Sequence, residues 1–176
     1  MVELLLRVPQ HGSPAQALVN EMNKARMNPI TYISTIEKYR ARHGRLEPGA
    51  VDEAIQALRS HRPCRTPLRL EPSMSRIVDS LLEEQARTGD TGHGSFLGRV
   101  SQVGTYRAIA ENIAYGTSDA EDTVAAWIID AGVPNRGHRI NLLNCNYEQV
   151  GYGDACHPRF GNAVAVVYAM GFRPYS

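Results

Sequence analysis

The hydrophobic period of the chain changes in its last third, and this change constrains the fold more than any other feature. Residues 147–155 (YEQVGYGDA) and 163–172 (AVAVVYAMGF) have the composition of two strands around the loop CHPRFGN. Before them, apolar residues recur mainly at helical spacing. Helices followed by a closing hairpin predict an α+β fold in which the helices pack on a small antiparallel sheet.

Start and stop signals mark the main helices. Ser13 and Pro14 begin the first one, and residues 73–89 (SMSRIVDSLLEEQARTG) form a second that ends at Gly89. Residues 118–132 (SDAEDTVAAWIIDAG) carry a predicted capping box from Ser118 to Glu121. We interpret residues 13–176 as one domain, preceded by an N-terminal segment, residues 1–12, that need not be rigid.

Composition excludes several classes of protein. Hydrophobic residues make up 43% and charged residues 21% of the 176 positions, which is typical of a globular chain. A net charge of +1 gives no electrostatic reason to bind nucleic acid or an anionic membrane. No apolar run has the length of a transmembrane segment. The N-terminus lacks a convincing signal peptide, so the residues leave a cytosolic and an exported protein both open.

The three cysteines are Cys64, Cys145 and Cys156, an odd number that leaves at least one thiol unpaired. Cys145 and Cys156 flank a predicted strand and would lie roughly 30 Å apart, beyond disulfide reach. A bridge from Cys64 to either stays open. We interpret all three as isolated small apolar side chains.

Four side chains near the ends of elements have the chemistry of a site. They are two imidazoles and two carboxylates, the groups that bind a divalent metal or transfer protons: His93, Glu111, Asp130 and His138. Their spacing is not a metal motif. The alternative is structural: Glu111 binds backbone amides, Asp130 pairs with nearby arginines, and both histidines are turn residues.

Other candidates are weaker. Cys145 lies seven residues after His138, but nothing orients it as a nucleophile. GYG and ENIAYG lack the spacing and lysine of phosphate loops, so their glycines are assigned to turns and bulges. The remaining histidines fall in polar loops where solvated surface is expected: His11, His43, His61 and His157.

Three motifs carry a resemblance to a known family. TGHGS, AENIAYG and AAWIIDAGVPNRGHRINLLN, in this order and spacing, resemble the CAP superfamily of cysteine-rich secretory proteins, antigen 5 proteins and plant pathogenesis-related class 1 proteins. The resemblance runs from about Ser13 to the C-terminus. GVPNRGHR is most similar to a microbial, disulfide-poor branch.

The resemblance implies a three-layer α-β-α sandwich with a central antiparallel sheet and a surface cleft. In that cleft His93 and His138 correspond to the family's two histidines, Glu111 to its first acid and Asp130 to its second. The second acid is usually glutamate, and aspartate is one methylene shorter. Asn112, Arg136 and Arg139 are expected to support the site, with the arginines holding Asp130 or neighbouring acids.

The resemblance also implies a divalent metal, zinc above all, bound through the two histidines. The function that it favours is a non-enzymatic, secreted binding protein with a role in host interaction or defence. One alternative is a metal-dependent protease or esterase that uses the same cleft. A second is a sterol or lipid carrier, with a pocket lined by apolar residues of the N-terminus and of FLGRV. The partner would accordingly be a lipid, a sterol or another protein.

Overall fold

A computed structural model describes residues 12–176, and most of the predicted N-terminal segment lies outside the described residues. Three helices come first, and four more follow as two consecutive pairs with strands before, between and after them. The helices are α1 (Pro14–Met27), α2 (Pro29–Arg42), α3 (Ala50–Ser60), α4 (Pro72–Thr88), α5 (Phe96–Val100), α6 (Ala120–Ile129) and α7 (Gly137–Leu143). The strands are β1 (Arg69–Leu70), β2 (Gly104–Thr105), β3 (Ala108–Tyr115), β4 (Gln149–His157), β5 (Gly161–Met170) and β6 (Arg173–Pro174).

The predicted hairpin, β4 and β5, forms the centre of a four-stranded sheet of order β1-β4-β5-β3. All long pairings are antiparallel, and only the two-residue β1 runs parallel to β4. The short strands β2 and β6 form a separate ribbon. Strand β3 therefore lies at one edge of the main sheet, with β5 on one side only.

The sheet separates two apolar cores, which confirms the α-β-α sandwich. Alternate residues of β5 point to opposite faces, as the strand period requires. Val166 and Tyr168 pack with α1, α2, α3 and α6, whereas Ala165 and Val167 pack with α4. The α+β prediction and the helical layers on both faces of the sheet are thus confirmed.

Local signals placed the helix starts well, with one shift. Ser13 accepts a hydrogen bond from the backbone N–H of Gln16 at 3.2 Å, as predicted for the cap of α1. The cap of α6 is Asp119, not Ser118, since the Asp119 carboxylate accepts from the N–H of Asp122 at 2.8 Å. Both side chains are suitable caps. Because α6 begins at Ala120, the residue directly before the helix is Asp119.

The GYG glycines lie inside β4 rather than in turns or bulges. A Cβ on Gly151 would lie 2.6 Å from the Met74 carbonyl carbon, and one on Gly153 would lie 2.9 Å from Asp79 Oδ1. These contacts are far below ordinary van der Waals distance. The glycines therefore allow α4 to pack directly on the sheet.

Two interpretations of cysteine and histidine were wrong. Cys64 and Cys145 form a disulfide across 81 residues, with their Cα atoms 5.2 Å apart, and Cys156 is free and exposed. His157 is buried at 3% exposure, and its Nε2 lies 2.9 Å from the carbonyl oxygen of Asp90. Both contacts join segments distant in sequence, so local composition did not indicate them.

Within residues 12–176, none of the helices combines the length and apolarity that crossing a membrane requires.

Candidate functional site

The four predicted site residues form two histidine–acid pairs. His93 Nδ1 lies 2.9 Å from Glu111 Oε1, and His138 Nδ1 lies 2.7 Å from Asp130 Oδ1. Both acids are buried, whereas the side chains of His93 and His138 are 50% and 23% exposed. Each carboxylate thus fixes one ring nitrogen.

Glu111 is held by an arginine that sequence reasoning missed. Arg99 Nη2 donates to Glu111 Oε1 at 3.0 Å and to Oε2 at 2.9 Å, and it also donates to the His93 carbonyl at 2.8 Å. A buried carboxylate needs such a cation, because an uncompensated charge is costly to bury. That requirement predicts a partner for Glu111 but does not say which of the chain's arginines supplies it.

Asp130 ends α6 and also caps α7. Its backbone adopts the left-handed conformation, with φ of 54°. Asp130 Oδ2 accepts from the backbone N–H of His138 at 2.8 Å and of Arg139 at 3.3 Å, while Oδ1 faces the His138 ring. Arg136, the residue before α7, supplies no side-chain cap. The carboxylate therefore satisfies free amides at a helix N-terminus and orients His138 at the same time.

The side chains of the two supporting arginines contact Glu47 and Glu53 rather than the Asp130 carboxylate. Arg136 pairs with Glu47 at 2.9 Å and with Glu53 at 2.8 Å, and it reaches only the backbone carbonyl of Asp130. Arg139 is buried and donates to the Ile129 carbonyl at 2.9 Å, with a further bond to the Ile128 carbonyl. Both arginines fix the backbone around the turn between α6 and α7.

Asn112 and the outer edge of β3 connect the two pairs. Adjacent strand residues point to opposite faces, so Glu111 faces α4 and α5 while Asn112 faces α7. Asn112 Nδ2 donates to the His138 carbonyl at 3.0 Å, and Asn141 Nδ2 donates to Asn112 Oδ1 at 3.0 Å. These bonds dock α7 on the strand that carries Glu111.

The loop that carries His93 is fixed by a closed set of hydrogen bonds. Gln85 Nε2 donates to the Gly92 carbonyl at 2.7 Å, the Gly92 N–H donates to Tyr115 Oη at 2.9 Å, and Tyr115 Oη donates to Gln85 Oε1 at 3.0 Å. Gln85 is buried in α4 and Tyr115 lies at the end of β3. The exposed His93 therefore projects from a backbone that both elements hold.

A cavity of about 350 Å³ adjoins one of the two pairs. It is lined by Asp130, His138, Trp127 and residues 113–117, with Tyr39 and His43 among the other lining residues; His93 and Glu111 are not. Its volume lies near the lower end of the range of small-ligand sites. Trp127 Nε1 donates to the Ile113 carbonyl at 3.2 Å, which covers the strand edge beside the cavity.

The two pairs do not form one compact ligand set. Among the described residues, one group of three or more His, Cys, Asp or Glu side chains has all its ligand atoms within 4.8 Å of one another: His61, Cys64 and Cys145. This second cluster lies around the disulfide. The sequence did not indicate it, since His61 was expected to be solvated and the cysteines to be isolated.

The three-layer sandwich, with two histidine–acid pairs beside an edge strand, agrees with the class of protein that the three sequence motifs indicated. The cysteine-rich secretory protein family, CAP, matches residues 14–170, and the chain belongs to this family. The resemblance drawn from the three motifs is therefore confirmed. A comparison with curated proteins gave no significant match.

The solved structures that match this chain are distant from it in sequence. A cysteine-rich secretory protein from Staphylococcus aureus is 18% identical over 81% of this chain, with a TM-score of 0.45, and the match spans 38% of that protein's length. An outer surface protein from Borrelia burgdorferi is 14% identical, covering 80% of this chain and 90% of that one, with a TM-score of 0.47. Venom allergen-like protein 4 from Schistosoma mansoni is 13% identical, covering 85% and 90%, with a TM-score of 0.48.

Proposed function

We propose that this CAP-domain protein is a binding protein whose cleft takes a divalent cation, zinc in the first place, through His93 and His138. The observation that carries the proposal is the pairing of each Nδ1 with a buried carboxylate. Histidine ligands in metal sites usually bond a carboxylate or carbonyl through the nitrogen that does not bind the metal. This pairing places the ring proton on Nδ1 and leaves Nε2 of each ring as the atom that would bind the metal.

The chemistry of the donor set fits zinc. Two neutral imidazoles would supply half of a tetrahedral shell, and water or a ligand group would supply the rest. In this arrangement Glu111 and Asp130 orient the histidines rather than bind the ion. The shorter Asp130 suits this role, because it already contacts the His138 ring and the amides that begin α7.

The contacts of Glu111 favour binding over hydrolysis. A general base needs a carboxylate oxygen that can reach water or substrate. Both oxygens of Glu111 accept hydrogen bonds from Arg99, one also faces His93, and its side chain is 1% exposed. These contacts suit a residue that positions His93. The metal-dependent hydrolase therefore stays the weaker alternative.

The cavity lining favours a polar ligand over a sterol or lipid. Ionisable side chains of His43, Asp122, Asp130 and His138 face the same space as Ile113 and Trp127. Burying such groups against a hydrocarbon would cost free energy unless each kept a polar partner. Export to an extracytoplasmic compartment is part of the proposal and is supported by family membership and by the disulfide.

Zinc titration of the oxidised protein by calorimetry tests the proposal. In that form Cys64 and Cys145 are joined in a disulfide, so neither offers a thiol that could bind zinc. We expect His93→Ala and His138→Ala each to weaken zinc binding by at least about tenfold. His43→Ala is the matched control. His43 lines the cavity beside His138, and its acid partner, Asp122 at 3.6 Å, has a side chain that is 26% exposed rather than buried. Unchanged affinity in both site variants, or an equal loss in the control, would refute the cleft assignment.

A panel of peptide and ester substrates separates binding from hydrolysis. We expect no turnover that disappears both on addition of a chelator and in Glu111→Gln. Turnover that meets both conditions would replace the binding proposal with the hydrolase.

A further inference from the structure

The imidazole of one histidine lies beside both sulfurs of the disulfide. His61, at the C-terminal end of α3, has its Nε2 3.7 Å from Cys64 Sγ and 3.8 Å from Cys145 Sγ. Cys64 is buried, His61 is half-buried and Cys145 is exposed. The cluster belongs to neither histidine–acid pair, and the proposed function does not use it.

We propose that His61, Cys64 and Cys145 form a second metal site, selective for a soft or borderline cation such as Zn²⁺, which assembles when the disulfide is reduced. A dithiol reductant would transfer two electrons and two protons to the bridge and leave as its own cyclic disulfide. The bridge becomes two thiols. Binding of one Zn²⁺ then releases both thiol protons to solvent, and the ion is held by two thiolates and one neutral imidazole.

Buried Arg26 holds both cysteine segments in place without the disulfide. Its backbone carbonyl accepts from the Cys64 N–H at 2.9 Å. Its guanidinium donates to the carbonyls of Leu142 at 2.6 Å, Asn144 at 3.0 Å and Tyr147 at 2.9 Å, on either side of Cys145. One residue of α1 thus anchors both partners of the bridge. Reduction therefore leaves the two sulfurs close together and beside His61.

The three donors match the chemistry of zinc. Two cysteine sulfurs and one histidine nitrogen are common zinc ligands, and a set of three leaves a fourth position for water or a further ligand. Thiolates also exclude hard cations such as Mg²⁺. The exposed side of Cys145 gives the ion a path of entry.

The site keeps one covalent or coordinate link between the same two segments in either redox state. Under oxidising conditions the link is the disulfide, and under reducing conditions it is the metal. Zinc binding would therefore stabilise the reduced protein and leave the oxidised protein unchanged at this site.

The test uses the His93→Ala/His138→Ala protein, so that the cleft does not contribute to binding. Half of the sample is reduced with a water-soluble phosphine, which takes up the oxygen of one water molecule as it is oxidised, and is then desalted without oxygen. Co²⁺ is the first probe, because its thiolate complexes absorb by charge transfer, and Zn²⁺ is then added as the competitor. We expect the band to saturate at about one equivalent of Co²⁺ in the reduced sample alone and to disappear with Zn²⁺.

Single substitutions in that background assign the ligands. We expect His61→Ala to weaken Co²⁺ binding by about tenfold or more and Cys145→Ser to abolish the band. Cys156→Ser is the matched control and should bind as the parent does, since this thiol lies outside the cluster. Equal bands in oxidised and reduced samples, no band in either, or unchanged affinity in His61→Ala would overturn the proposal.

A folding measurement covers the case in which reduction unfolds the chain. Circular dichroism of the reduced protein, with and without Zn²⁺, should then show the native helical signal returning with the metal, or a higher melting temperature if the chain stays folded. A reduced protein on which Zn²⁺ has no such effect would contradict a site formed by the folded chain.

Discussion

At the scale of single residues, Asp130 connects the fold with the proposed site. One oxygen orients the His138 ring, and the other accepts the first amides of α7. Capping by a residue eight positions upstream requires a short side chain held in a fixed turn. The left-handed backbone of Asp130 supplies that turn. The aspartate side chain at this position therefore reaches both the His138 ring and the first amides of α7.

Asp130→Ala should destabilise the protein by about 2–3 kcal/mol, because it leaves buried amides and the His138 ring without their acceptor. Chemical denaturation at neutral pH measures the change in the free energy of unfolding. Asp52→Ala is the control, as Asp52 is an exposed acid whose pair with Arg40 should contribute less than about 1 kcal/mol. Similar losses in both variants would contradict the capping role.

The four candidate site residues could be predicted from the sequence, but their partners could not. Imidazoles and carboxylates beside turns, together with the three motifs, identified His93, Glu111, Asp130 and His138. Arg99 and the Gln85–Tyr115 pair act through contacts between distant segments, and no local pattern distinguishes them from other polar residues. The arginines of GVPNRGHR were expected to hold Asp130 or neighbouring acids, and the sequence could not show that the acids paired with Arg136 are Glu47 and Glu53.

At the scale of elements, Arg136 joins the turn between α6 and α7 to α3 and the loop before it. Its guanidinium pairs with Glu47 in that loop and with Glu53 in α3. The Glu47 carboxylate also accepts from the Gly132 N–H at 2.8 Å. The Arg136 hydrogen bond, followed by that of Gly132, lowers the pKa of Glu47 from 4.5 to about 2. This network fixes the turn that positions Asp130 and His138.

The contribution of Glu47 to stability should depend on pH. Because its pKa is lower in the folded state, the contribution is fully present above pH 4.5 and disappears as the pH falls towards about 2. We expect wild type and Glu47→Gln to differ in free energy of unfolding near neutral pH and to converge at about pH 2. High salt should reduce the difference, since the pair is exposed.

Urea denaturation across this pH range provides the measurement, and Glu83→Gln is the control from an exposed position of α4 outside the network. A Glu47→Gln difference that stays constant down to pH 2 would contradict the ion pair as its source.

Element order was predictable, whereas two details of packing were not. Helical spacing, Ser13 with Pro14, and the closing hairpin placed the main elements because these signals are local. The positions of Gly151 and Gly153 depend on α4, which is about 70 residues upstream. The disulfide likewise joins segments that only the folded chain brings together.

At the scale of the whole molecule, the Cys64–Cys145 bridge closes a loop of 81 residues. A cross-link of this length lowers the conformational entropy of the unfolded chain substantially. Since Arg26 also holds both segments by hydrogen bonds, we expect the native geometry to persist without the bridge. The bridge therefore stabilises mainly by its effect on the unfolded state.

Cys145→Ser should lower the free energy of unfolding of the metal-free protein by about 2–4 kcal/mol without changing its circular dichroism spectrum. Urea denaturation without reductant, in the presence of a chelator, measures the loss. Cys156→Ser, which removes the free exposed thiol, should leave the unfolding midpoint unchanged. An unaltered midpoint in Cys145→Ser would show that the bridge does not form in solution.

The same bridge has a consequence for exposure to peptidases. Both histidine–acid pairs, from His93 to His138, lie within the part of the chain that Cys64 and Cys145 enclose. A single cut in the exposed loop around His93 would open the backbone but leave the two fragments covalently joined. Such a nicked protein would migrate as two pieces only after reduction, and it would keep both histidine–acid pairs in one covalently joined molecule.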